Sequence, residues 1–297
     1  MKKMIIGSLV AITALMGMLA WVIQVHGNGV IKANTAAYEL LLDKIYGTAS
    51  DRYRGEKLLH HRIQNVIKNC MESKGLGYVP PLYAGSSAGV VAPGDLDVAT
   101  PLSESFGIAE RHRMHAQGVE ADQNSGGNKP GLEAARSQQT GTIYNAAVDE
   151  CMAKAIPLEE DYHPAGQQET IDRLLTELRK VQGSEAAKPL ITDYQDCLHK
   201  AGYKANSRFE LYDHVLKQFP TPEQPWSRMA ATKQWREAAR SEQKAAAADK
   251  VCRAKLYHWA TGRLQPAVGR LNTDPEVETV RRGWDKIEAG YAAAGLN

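Results

Sequence analysis

Four cysteines constrain this chain most, because each lies on an apolar stripe with helical spacing. Leu59, Ile63, Val66 and Cys70 step by four, three and four, one face of a helix, and Gly75 stands where a glycine ends it. Leu190, Tyr194, Cys197 and Ala201 repeat the pattern, with Gly202 as the stop. Tyr144, Val148, Cys151 and Ala155 form a third stripe before Pro157, and Cys252 falls in an alanine-rich run from Trp235 to Trp259. A cysteine buried between helices is an inert thiol, a metal ligand or half of a disulfide. Which one it is depends on the compartment.

The amino terminus supplies the compartment. Lys2 and Lys3 precede an uncharged run from Met4 to Ile23, and no Lys or Arg recurs until Lys32. A positive start and an apolar run near the roughly 20 residues of a membrane span read as an export signal or a signal-anchor. No A-x-A cleavage site follows; the best cut is Val25-His26-Gly27, near Gly27. Trp21 sits late in the run, where an interfacial aromatic would hold a span. The expectation is one N-terminal apolar transmembrane helix within residues 1–29, with everything after it extracytoplasmic. Secretion after cleavage near Gly27 is the alternative. Outside the cytoplasm disulfides are the default, and the spacings lack the C-x-x-C or paired histidines of a zinc site.

An internal repeat favours one pairing among three. Asn69-Cys70-Met71-Glu72-Ser73-Lys74-Gly75 parallels Asp196-Cys197-Leu198-His199-Lys200-Ala201-Gly202, with Tyr78 and Tyr203 following. Each stretch is followed by a second cysteine helix with an aspartate just before the thiol, Asp149 before Cys151 and Asp249 before Cys252. The repeat links Cys70 to Cys151 and Cys197 to Cys252. It predicts two related helical halves, residues 34–165 and 166–297.

Other stripes complete an all-α reading. Ile171, Leu174, Leu175, Leu178 and Val181 mark a helix; Ser207 and Glu210 read as a capping box; Asp274-Pro275-Glu276 opens a helix carrying Val277, Val280, Trp284, Ile287 and Tyr291. No period-2 stretch of useful length appears. Residues 79–142 break the pattern, being rich in Gly, Ala, Ser and Pro, with a short helix expected near Ser105 to Gln117 and disorder near Asn124 to Gly131. A loop of this length is functional or mobile, and it is the expected contact element.

Cys70-Met71 with Gly75-x-Gly77-Tyr78, followed by Tyr144-x-x-Ala147-Val148-Asp149-x-Cys151, resembles exported, cysteine-paired helical proteins of actinobacteria that carry no assigned activity. The resemblance spans residues 58–260 and implies the architecture alone. The cysteine to which many such proteins attach lipid is lacking after the apolar run.

Charge excludes some partners. The chain has 36 basic and 34 acidic residues, and residues 1–29 hold two lysines and no acid, so the rest is balanced. A neutral, mixed surface carries no footprint for nucleic acid. Candidate chemistry is thin. Gly85-Ser86-Ser87-Ala88-Gly89 matches G-x-S-x-G, but prolines flank it and no strand precedes it. His112 and His115 near Glu110 lack a third ligand, and Glu159-Glu160-Asp161 reads as a solvated turn, so no metal or cofactor is expected. Trp226, Trp235, Trp259 and Trp284 cluster late with Tyr257 and Tyr291. At helical spacing these rings read mostly as core; Trp226, Trp235 and Trp259 are the binding candidates among them, since exposed aromatics stack on sugars or anchor a protein partner. The expected function is a non-catalytic binding or accessory module of the cell envelope, with an envelope protein or a glycan as partner. An exported hydrolase using residues 85–89 or 159–161 is one alternative, and a passive envelope spacer is another.

Overall fold

The structure, a computed structural model, describes residues 31–81, 83, 98–125, 142–156, 162–221 and 225–296. The apolar run 4–23, the G-x-S-x-G loop, the acids 159–161 and the glycine-rich stretch 126–131 lie outside the described residues. Within them the protein is all α-helical, with no strand, and no helix is long and apolar enough to cross a membrane.

Helix α1 runs through residues 31–46. It is followed by α2 (Ala49–Ser73), α3 (Ile108–Ser125), α4 (Thr142–Ala153), α5 (Gln167–Gln182), α6 (Lys188–Lys200), α7 (Arg208–Leu216), α8 (Trp226–Ala231), α9 (Lys233–Asn272) and α10 (Pro275–Ala293). Cap chemistry explains most boundaries. Thr48 and Asp51 form a full capping box at α2, Thr232 caps α9 and Asp274 caps α10. At α7, Ser207 accepts from the Glu210 N–H at 3.0 Å, but the Glu210 carboxylate turns back to the N–H of Asn206, one residue before the cap.

The 40 residues of α9 make a rod of about 60 Å. It runs through Pro266 because Leu264, Ala267, Val268 and Leu271 are buried around it. Helices α3, α5, α6, α7, α8 and α10 all contact this rod. Its core joins Tyr38, Leu41 and Ile45 of α1 and Ile108 of α3 to Leu174, Leu198, Leu211, Leu256 and Leu264. The larger core therefore draws on residues from both intervals, 34–165 and 166–297.

A smaller core lies apart, made by Ile67, Cys70 and Met71 of α2 with Tyr144, Ala147, Cys151 and Ala155. The two disulfides divide between these cores. Cys70 pairs with Cys151 and joins α2 to α4, with Cα atoms 5.6 Å apart. Cys197 pairs with Cys252 and joins α6 to α9, at 5.4 Å. In the chain-entropy picture, loops of 81 and 55 residues correspond to roughly 4 kcal/mol each.

Buried charges on α9 fasten the 98–108 segment. Glu242, 1 % exposed, accepts from the N–H groups of Ile108 at 2.9 Å and Ala109 at 2.7 Å, and so caps α3 from another helix. Arg253 is fully buried; it donates to both oxygens of Asp249 and to the carbonyl of Thr100, while Tyr194 donates to Asp249 at 2.7 Å. Helix α3 starts later than the sequence suggests and continues to Ser125, so Asn124 is helical.

Candidate functional site

The site with the most varied chemistry is a cleft of about 380 Å³ between α1, α2, α5 and α10. The turn between α1 and α2 lies beside it, between the lining residues Tyr46 and Arg52. Gly47 makes that turn with φ of 74°, a left-handed value, and an added Cβ would stand 2.8 Å from the Trp284 ring. Three lining side chains hold carbonyl groups at this turn. Gln167 and Trp284 donate to the carbonyl of Ile45 at 2.9 and 3.3 Å, and Arg52 donates to that of Gly47. Pro164 packs so closely on Gly283 that a Cβ there would come within 2.5 Å of it. This contact seats the 162–166 turn against α10.

Tyr46, Tyr162 and Trp284 supply aromatic surface, and Leu59 and Ile171 supply aliphatic surface. Arg52 and Glu56, one turn apart on α2, line the cleft with His163, Gln167 and Gln168. His163 shares a hydrogen bond of 3.2 Å with Gln167, and Glu56 accepts from Tyr83 at 2.7 Å. The hydroxyls of Tyr46 and Tyr162 are buried and have no hydrogen-bond partner among the described residues. Burial raises both phenols: Tyr46 above its ordinary value with help from Asp172, and Tyr162 to about 12 against the opposing charge of Arg62. Both stay neutral donors and acceptors at physiological pH. Such a lining offers polar groups and apolar surface to a ligand, and among the described residues it sets no nucleophile next to a base.

The three tryptophans proposed for binding do not form one surface. Trp235 is buried in the larger core between Phe219 and Trp226, with centroids 5.4 and 5.2 Å away, both edge-on. Trp226 is half-buried there, and its edge-on contact with Trp235 makes it part of the packing. Trp259 lies 24 residues further along α9, about 36 Å away along the helix. It lines a separate groove with Lys180, Arg263 and Arg270, and Arg263 sits over its ring at 5.9 Å. Trp284, only 8 % exposed, is buried and also lines the cleft.

Glu110 is taken up by Arg113, and His112 stacks on Phe219 at 5.0 Å. No group of three or more His, Cys, Asp or Glu among the described residues is arranged to hold a metal ion. The sequence does contain one signal for the cleft: Gly47-Thr48-x-x-Asp51 marks a break and a cap between two helices. Nothing in it announces that residues 162–168 would meet that break. Compared with known proteins, the chain matches no family model, no curated protein and no solved structure.

Proposed function

We propose that this is an exported helical binding module, held at the outer face of a membrane by residues 4–23, whose ligand site is the cleft beside the α1–α2 turn. One observation carries the binding half: a mixed-chemistry cleft whose lining residues Gln167, Trp284 and Arg52, from three different helices, are tied to the adjoining α1–α2 turn by hydrogen bonds. Export is supported by the pairing of all four cysteines, with none left free. The matched disulfide units also support the reading of two related halves. Gly75 and Gly202 both end their helices with positive φ, and the following N–H bonds the residue after the cysteine in each case. Leu76 donates to Met71, and Tyr203 to Leu198, both at 3.0 Å.

The test is in vivo cross-linking of the tagged full-length chain, with Gln168→Trp as the cleft-blocking variant. Gln168 is exposed at the cleft, so the larger ring obstructs without entering the core. Capture of an envelope component by the wild type, lost in the variant, is the expected result. Equal capture by both moves the site elsewhere. Fractionation with thiol labelling tests export: the thiols should become reactive only after reduction, and cytoplasmic, freely labelled protein would overturn it.

A further inference from the structure

The cleft's lining narrows the class of ligand, an inference that rests on the binding-module reading. The two formal charges among the described residues that line it have opposite sign and stand on one helix, Arg52 and Glu56. An anion placed there meets the Glu56 carboxylate, and a cation meets the Arg52 guanidinium, so neither sign of ligand is favoured. A purely apolar ligand would strip water from both groups and return no hydrogen bond. Gln168 and His163 are exposed at the cleft and each can donate and accept, whereas Gln167 is held by the Ile45 carbonyl and His163, and the Tyr46 and Tyr162 hydroxyls are buried. Beside them stand aromatic and aliphatic walls from Trp284, Leu59 and Ile171.

A ligand that suits this lining is neutral, dense in groups that both donate and accept, and apolar on one face. We infer that the cleft binds a neutral saccharide of one or two rings, its hydroxyls met by the Arg52, Glu56 and Gln168 side chains and its C–H face laid on the aromatic wall. A volume of about 380 Å³ stands near the lower end for ligand pockets, which limits the size. An extended peptide is held along a sheet edge or a long groove. The described residues offer no sheet edge, and this cleft is bounded by the 162–166 turn.

The test uses the oxidised, ¹⁵N-labelled full-length protein, titrated separately with glucose, N-acetylglucosamine, maltose, diacetylchitobiose, trialanine and citrate. The indole N–H of Trp284 is the reporter, and those of Trp226 and Trp259 are internal controls. At least one sugar should shift the Trp284 resonance saturably and leave the controls in place. Its Kd should rise tenfold or more in Gln168→Ala and in Glu56→Gln, both of which should keep the native spectrum elsewhere. A saturable shift with trialanine or citrate and none with any sugar overturns the saccharide assignment but leaves the binding site standing. No shift with any of the six probes overturns the saccharide assignment, and the loss of cross-link capture in Gln168→Trp then decides separately whether the cleft is a site.

Discussion

The two disulfide units use the same local device in different surroundings. In each, a helix ends in a left-handed glycine five residues after its cysteine and is bonded to a second helix. The α2–α4 unit has only a small core around its bridge, and the one helix that α4 packs against extensively is α2. The α6–α9 unit is embedded in the large core and adds a buried ion pair, with Tyr194, Asp249 and Arg253 at its centre. Even the matched aspartates diverge, since Asp149 is exposed and Asp249 is buried. Both bridges restrict the unfolded chain to a similar degree, but a unit with little packing has less else to keep it ordered. Local order should therefore depend on the bridge in the first unit and on packing in the second.

The largest effect tests the second unit's polar centre. Asp249→Ala leaves the fully buried Arg253 guanidinium without its carboxylate and should destabilise the protein by about 3–5 kcal/mol, read by urea denaturation. A change below about 1 kcal/mol would mean that the ion pair is not what holds this unit. Next comes the first unit's bridge. Cys70→Ser with Cys151→Ser should cost about 2–4 kcal/mol and abolish hydrogen-exchange protection in α4, with α9 still protected. The same pair of changes at Cys197 and Cys252 should leave both α6 and α9 protected; equal loss in the two units would end the comparison.

Gly47 joins the units, because α1 packs with the large core and α2 carries the first disulfide. Gly47→Ala places a Cβ 2.8 Å from the Trp284 ring at a left-handed φ, and should cost about 1–3 kcal/mol in thermal unfolding. Exposure predicts the order of reduction. Cys197 and Cys252 are half-buried, whereas Cys70 is 8 % exposed and Cys151 is 0 %. Graded reductant on the folded protein, followed by alkylation and peptide mapping, should open Cys197–Cys252 first.

The smallest effect is on pH. His112 titrates below its ordinary value, chiefly through burial, with Arg111 and His115 adding to the shift and the Pro220 carbonyl and Glu242 opposing it. With the folded pKa depressed, the unfolded chain takes up the proton first. Stability attributable to His112 is therefore complete above about pH 6.5 and declines as pH falls below it. His112→Gln should flatten that decline in melting curves from pH 7.5 to 5.

Much of this architecture was legible because it is local. Stripes such as Leu174, Leu175 and Leu178, and caps such as Asp274 before Pro275, encode helices within a few residues. The repeat made the cysteine pairing readable, since a duplicated stripe implies a duplicated partner. Helix α1 went unread, although Tyr38, Leu41 and Ile45 carry helical spacing and Thr48 with Asp51 marks its end. What stayed hidden is what distant residues do together. Glu242 capping α3, and Asp249 serving Arg253 and Tyr194 at once, are indistinguishable in sequence from surface charges in an alanine-rich helix. The cleft likewise needs a turn at residue 47, a tryptophan at 284 and a glutamine at 167.

The unbroken α9 also limits how the chain can vary in length. Along one continuous helix, Glu242 faces α3, Cys252 faces α6, Tyr257 reaches Glu39 of α1, and Gln265 reaches the carbonyl of Asn34. One inserted residue would rotate everything beyond it by about 100° and advance it by about 1.5 Å, so each later contact would face the wrong neighbour at once. The rod works as a ruler whose marks cannot be shifted singly, so additions or deletions of residues should be tolerated only in the stretches between helices.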